Sequence, residues 1–147
     1  MNSDFRDLLE AFNDAGVEYL IIGGYAVIKH TEPRFTKDLD LWVATDIENS
    51  VKVYTALLEF GAPIEKLTPA DFAEPGAFFT MGLPPNRIDI MFDLNGVVPR
   101  QAWERRVEGT FGDIPVHFIG RDDLISNKEA VGRLQDLADA EKLRQTS

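Results

Sequence analysis

Apolar and polar residues alternate along two short segments of the chain, and both segments carry aspartates. In the first, Leu39 and Leu41 fall on one side. Asp38, Asp40 and Trp42 fall on the other. A period of two residues is typical of a β-strand, because successive side chains leave a strand toward opposite faces of its sheet. The pattern therefore predicts a strand with a core face and an acidic face.

The second segment, residues 87–93, repeats this arrangement. Ile88 and Ile90 occupy its apolar side, whereas Arg87 and Asp89 occupy its polar side. If the two strands are neighbours, about 4.8 Å apart, their carboxylates come close together. Two such charges about 4 Å apart repel by roughly 4 kcal/mol at an effective dielectric constant near 20. The cluster then needs a cation or protons; the alternative is that these acids line the wet side of a half-exposed sheet.

An apolar run precedes both segments and ends at a pair of glycines. Residues 17–22 predict a buried strand and residues 25–30 a short helix, so Gly23 and Gly24 join the two. Glycine lets the backbone turn sharply, and the free N–H groups and positive dipole at a helix start favour an anion. We therefore expect a phosphate-binding turn, although a glycine pair alone is most often only a turn.

The remaining pattern predicts helices and hairpins around this core. Helices are expected over residues 4–15, 46–60, 100–106 and 121–144, the last broken near Gly132, and hairpins over residues 78–93 and 107–118. Helix 46–60 is expected to pack through Ile47, Val51, Tyr54, Leu57 and Leu58. We predict one α+β domain over residues 1–147: a mixed β-sheet with helices packed on one face and an open acidic cleft on the other.

Composition narrows the functional classes. The net charge is −10 and there is no cysteine. Unaided binding to long nucleic acid is disfavoured, because Lys and Arg supply most non-specific affinity for phosphates. A thiol nucleophile and a disulfide framework are excluded. No apolar run approaches the roughly twenty residues that span a bilayer, and residues 1–6 lack a signal-peptide pattern. We expect a cytoplasmic protein without membrane binding.

Three motifs follow one another along the chain: the glycine pair within residues 21–27, the Asp-x-Asp strand within residues 33–43, and the aspartate within residues 87–89. Their order resembles the DNA polymerase beta-like nucleotidyltransferase superfamily. Residues 126–133 and 135–140 add a closer likeness to small bacterial and archaeal nucleotidyltransferase-like proteins, which include toxins of abortive-infection toxin-antitoxin systems. The resemblance implies a nucleotidyltransferase-like core.

The resemblance also implies roles for individual residues. Asp38, Asp40 and Asp89 would be the catalytic residues and would bind Mg²⁺, or Mn²⁺ in its place, with Asp89 helping to activate an acceptor hydroxyl. Gly23 and Gly24 would contact the triphosphate of a nucleotide such as ATP. Many superfamily members have serine after the first glycine, whereas this chain has Gly24. The phosphate must then rely on backbone amides or on a nearby side chain.

Three cations are candidates for nucleotide binding. Arg34 and Lys37 flank the acidic strand and would neutralise triphosphate charge, because phosphoryl transfer depends on positioning and electrostatics. The alternative is that both are solvated loop cations. The resemblance places Lys128 beside the nucleotide; the alternative is a surface lysine near Glu129.

Together these features predict a magnesium-dependent nucleotidyltransferase, which moves a nucleoside monophosphate from a nucleoside triphosphate to an acceptor hydroxyl. The acceptor is left open between an RNA end such as that of transfer RNA, a protein and a small molecule, because its specificity lies in loops such as residues 62–76. One alternative is a binding component of a toxin-antitoxin-type system with little or no catalysis, paired with a cognate antitoxin. Another is an acidic structural protein.

Overall fold

The computed structural model describes residues 3–83 and 85–146 of the chain. Within these residues the strands are β1 (Tyr19–Ile22), β2 (Leu39–Val43), β3 (Phe78–Met81), β4 (Ile88–Met91), β5 (Val107–Phe111) and β6 (Ile114–Phe118). The α-helices are α1 (Ser3–Ala15), α2 (Gly23–His30), α3 (Ile47–Phe60), α4 (Pro99–Glu104), α5 (Arg121–Val131) and α6 (Leu134–Gln145), and a 3₁₀ helix spans Pro69–Ala73. None of these described helices is long and apolar enough to cross a bilayer.

All the described strands form one mixed sheet in the order β3-β4-β2-β1-β6-β5. In its centre, β2 pairs antiparallel with β1 and parallel with β4, while β1 pairs parallel with β6. The antiparallel hairpins β3–β4 and β5–β6 form the two edges. The predicted α+β class, with a mixed sheet and helices packed on it, is confirmed.

The core lies between this sheet and the amphipathic helices. Helix α1 buries one stripe of residues, and it contacts β6 and α3. The stripe has the spacing expected for one face of a helix: Phe5, Leu8, Leu9 and Phe12. Helix α2 packs on β1 and β2 through the buried residues Ala26 and Val27. The start of α2 is thereby fixed beside the acid-bearing strand.

The predicted packing face of α3 was largely wrong. Ile47, Val51 and Leu58 are exposed, and Tyr54 is half-buried. The buried residues of the helix are Asn49, Ser50, Val53, Ala56 and Leu57. The helix is therefore rotated so that two polar residues face inward, and only Leu57 of the predicted set is fully buried.

Hydrogen bonds made by Asn49 explain this rotation. The backbone N–H of Glu18 donates to Asn49 Oδ1 at 2.7 Å, and Asn49 Nδ2 donates to the carbonyls of Glu18 at 3.1 Å and Ala44 at 2.7 Å. The side chain thus ties α3 to the chain before β1 and after β2. A buried amide that satisfies three backbone partners stabilises this orientation more than apolar spacing alone suggests.

Other differences concern element ends. Helix α2 includes the glycine pair instead of following it, and β4 ends at Met91 rather than Asp93. Strand β3 ends at Met81, whereas the predicted strand extended to residue 83. The predicted break at Gly132 is confirmed, because this glycine caps α5 in the left-handed conformation. Pro84, part of the predicted hairpin turn, lies outside the described residues.

Candidate metal and nucleotide site

The two acid-bearing strands are neighbours, and their pairing aligns two of the three aspartates. Strands β2 and β4 run parallel with Asp40 opposite Asp89, so both side chains leave the same face of the sheet. The two carboxyls are close enough to interact, because the charge of Asp89 is one cause of the raised pKa of Asp40. Asp38 lies just before β2, and all three aspartates line one cleft of about 820 Å³. We call this the acidic cleft.

Asp40 is the most strongly perturbed of these acids. Burial is the main cause that raises its pKa to about 7; the charge of Asp89, the hydrogen bond between the two carboxyls and the charge of Asp38 add to it. The positive charge of Lys128 acts in the opposite direction. Folding therefore favours the protonated form of Asp40, as crowding among carboxylates does when no cation separates them.

Asp89 is held by two further side chains. Thr80 Oγ1 and Arg87 Nε each donate to Asp89 Oδ1 at 2.9 Å. Thr80 lies directly opposite Asp89 across the β3–β4 hairpin. Because both donors reach Oδ1, the other carboxylate oxygen is left for Asp40 or for a cation. The buried Asp89 is thus oriented before any ligand binds.

The buried Oδ1 atom of Asp38 is the feature of the cleft that best supports a bound cation. This oxygen has no hydrogen-bond partner among the described residues. An unpaired buried carboxylate oxygen is costly, and a divalent cation satisfies it. Within residues 3–83 and 85–146, no three acidic, histidine or cysteine side chains already stand at metal-binding spacing. The oxygen donors and their shared cleft fit Mg²⁺ or Mn²⁺.

The backbone at Gly23 touches the acid cluster. Gly23 has a φ of +67°, and a Cβ built on it would lie 2.2 Å from Asp40 Oδ2. Both the left-handed backbone and the close approach require glycine. The preceding residue, Ile22, provides no side-chain cap for α2. The sequence therefore brings the uncapped start of a helix against a carboxylate in the acidic cleft.

Gly24 makes a second close approach, on the side of the β2 loop. A Cβ at Gly24 would lie 2.5 Å from Thr36 Oγ1 and 3.6 Å from Arg34 Nη2. A serine at this position would collide with Thr36. The Thr36 hydroxyl thus occupies the space next to the helix start where a side chain of residue 24 would otherwise lie.

Lys128 lies in the wall of the acidic cleft, with 8% of its surface exposed. Its Nζ lies 3.2 Å from Asp136 Oδ1 and 3.2 Å from Asp139 Oδ2. The alternative of a surface lysine beside Glu129 is wrong. Arg34 also reaches α6, with its Nη1 2.5 Å from Asp139 Oδ1. Helix α6 therefore holds two of the three candidate phosphate-binding cations through two buried aspartates.

The other cations differ in position. Lys37 is exposed on the loop before β2 and does not line the acidic cleft. Arg133 lines the cleft and pairs with Asp136 at 2.7 Å. The structure brings together Lys128, the aspartates and Gly23, whereas Arg34 contacts α6 and the side of α2.

Several residues of the site did not stand out in the sequence. The strand period placed Arg87 on the polar face beside Asp89, but it did not indicate that Arg87 donates a hydrogen bond to Asp89. Thr80 and Thr36 meet their partners only through the hairpin register and the folding of the β2 loop. Comparison of the chain with models of known protein families and with curated proteins finds no match.

Proposed function

We propose that this protein is a divalent-metal-dependent nucleotidyltransferase. The observation that carries the proposal is the alignment of Asp40 and Asp89 on adjacent parallel strands, with the start of α2 directly against Asp40. A phosphate-binding helix start and a set of carboxylates are the two parts that metal-assisted phosphoryl chemistry requires. The unpaired Oδ1 of Asp38 supports a cation between them.

In the proposed reaction, an acceptor oxygen forms a bond to the α-phosphorus of a nucleoside triphosphate. The bond from this phosphorus to the bridging oxygen breaks, and pyrophosphate leaves with the electron pair. Mg²⁺ or Mn²⁺, held by Asp38, Asp40 and Asp89, would supply Lewis-acid stabilisation of the charge that develops. Asp89, oriented by Thr80, accepts the proton of the acceptor hydroxyl.

The remaining residues position the phosphates. Gly23, which lines the cleft, would direct the start of α2 at the leaving pyrophosphate, with Gly24 and the hydroxyl of Thr36 just outside the cleft lining. Lys128 provides a positive charge in the wall of the cleft. These groups bind and orient the triphosphate, which is where most catalysis of phosphoryl transfer arises.

The acceptor remains an RNA end, a protein or a small molecule, and a cognate antitoxin is a proposed partner. The proposal includes a cytoplasmic location, where a nucleoside triphosphate donor is available. One experiment names donor and acceptor together: incubation with each α-³²P-labelled nucleoside triphosphate, Mg²⁺ and cell extract, followed by separation of labelled RNA, protein and small molecules.

The matched variants for this experiment are Asp40→Asn, which removes a proposed metal ligand, and Glu104→Gln, which changes an exposed acid at the end of α4, outside the cleft. Transfer of label should require Mg²⁺, vanish in Asp40→Asn and persist in Glu104→Gln. Transfer by Asp40→Asn at the wild-type rate would refute the assignment.

A second function, nucleotide binding with little catalysis, is favoured by the ion pairs of α6. Asp136 and Asp139 already neutralise Lys128 and Arg34. Calorimetric titration with ATP and GTP, with and without Mg²⁺, separates the two functions. Tight binding without any transfer of label would identify a binding component.

A further inference from the structure

The acidic cleft has a second, less polar end along the β3–β4 hairpin. Phe78 and Val131 line it there, together with Leu94. Phe78 lies opposite Met91, two residues along the hairpin from the Thr80–Asp89 pair. Two residues of strand span about 7 Å and return the side chain to the same face. Phe78 therefore lies on the acidic face, about 7 Å along the hairpin from the position of Asp89.

Phe78 presents its ring to the cleft rather than to the core. Its exposed fraction is 65%, and Val131, at the end of α5, is also exposed. Most large apolar residues of the sheet are buried, so this apolar surface is not explained by packing. Asp93 and Asn95 line the same end of the cleft. Apolar walls with a few polar groups at the margin suit a flat ring that carries hydrogen-bonding edges.

This end of the cleft is anchored to α5 without a ligand. Asn127 Nδ2 donates to the backbone carbonyl of Asn95 at 3.0 Å. Both residues line the cleft. The loop after β4 is thus tied to the helix that carries Val131, and the space beside Phe78 is preformed. A preformed apolar surface binds a ring with little ordering cost.

We propose that Phe78 stacks on the nucleobase of the nucleoside triphosphate, with Val131 against the other side of the space. The proposal rests on the proposed function, since the triphosphate has to lie at the acidic end. The ribose then spans the distance of about 7 Å along the strand between Asp89 and Phe78. Stacking accepts any base, because every base has a π-face.

The experiment compares ligands with and without a base. The full chain, with Mg²⁺, is titrated calorimetrically with each of the four nucleoside triphosphates and with inorganic tripolyphosphate. Phe78→Ala should weaken nucleoside triphosphate binding by about tenfold and leave tripolyphosphate binding unchanged. Phe78→Trp should retain nucleotide affinity. Leu83→Ala is the matched control, because Leu83 follows the same strand, is 79% exposed and lies outside the cleft.

The outcomes separate this inference from the proposed function. If nucleotides and tripolyphosphate bind the wild type equally and Phe78→Ala changes neither, the base site is wrong while phosphate binding stands. If neither ligand binds in Mg²⁺, both proposals fall. Should Phe78→Ala unfold, the pair Phe78→Trp and Phe78→Leu decides the matter: equal nucleotide affinity in these two variants overturns stacking.

Discussion

The raised pKa of Asp40 makes the stability of the protein depend on pH in a defined direction. An unfolded aspartate has a pKa near 3.8, whereas that of Asp40 in the fold is about 7. The folded state therefore binds a proton more tightly than the unfolded state. Protonation of Asp40 therefore stabilises the fold. This stabilisation is complete below the pKa of Asp40 in the unfolded chain and is lost as pH rises through its pKa in the folded protein. Between pH 5 and pH 8 the loss amounts to roughly 3 kcal/mol, from 1.36 kcal/mol per pKa unit.

Asp40→Asn removes this titration while it keeps the size of the side chain. Urea denaturation without divalent cations measures the free energy of unfolding of both proteins. The difference between Asp40→Asn and the wild type should shift in favour of Asp40→Asn by roughly 3 kcal/mol from pH 5 to pH 8. Carboxylates outside the acidic cleft titrate alike in both proteins, so the difference between the two reports Asp40 and the acids that it contacts. Glu65→Gln, at an exposed site, should follow the wild type at both pH values. An Asp40→Asn advantage that is the same at pH 5 and pH 8 would refute the reasoning.

Two other predictions concern the glycine turn and the buried lysine. Gly23→Ala should destabilise the protein by about 1–3 kcal/mol more than Gly16→Ala. Both glycines have a positive φ, but a Cβ at Gly23 would collide with Asp40, whereas nothing lies within 4 Å of a Cβ at Gly16. Thermal unfolding of the two variants measures this, and equal losses would contradict it. Lys128→Ala leaves two buried aspartates on α6 with one cation each, Arg133 and Arg34. We therefore expect a cost of about 1–3 kcal/mol, against less than about 1 kcal/mol for the exposed pair of Lys52. Urea denaturation tests it, and similar costs for the two lysines would show that α6 does not depend on Lys128.

The acid cluster was predictable because strand alternation is local. Seven residues around Asp38 and Asp40 suffice to assign their faces, and the same holds for Asp89. The site as a whole depends on long-range geometry. Arg34 and Asp139 are 105 residues apart in the chain, and no local pattern links them.

Helix α3 illustrates a different limit of the sequence pattern. Its apolar spacing indicated a face that the structure leaves exposed, because Asn49 instead turns inward to bind backbone groups of two other segments. Apolar periodicity does not register such hydrogen bonds, since a polar residue counts as outward-facing in the pattern. The same reasoning explains why Asp136 and Asp139, buried on a polar helix, did not stand out.

The central claim is that Asp38, Asp40 and Asp89 hold a divalent cation, and titration with Mn²⁺ at pH 7 tests it most directly. Calorimetry in buffers of different ionisation enthalpy measures both the affinity and the protons released. The account predicts that Mn²⁺ binds the wild type and displaces the proton of Asp40, and that Asp40→Asn loses both the binding and the proton release. Equal Mn²⁺ affinity in the two proteins, without proton release, would contradict it.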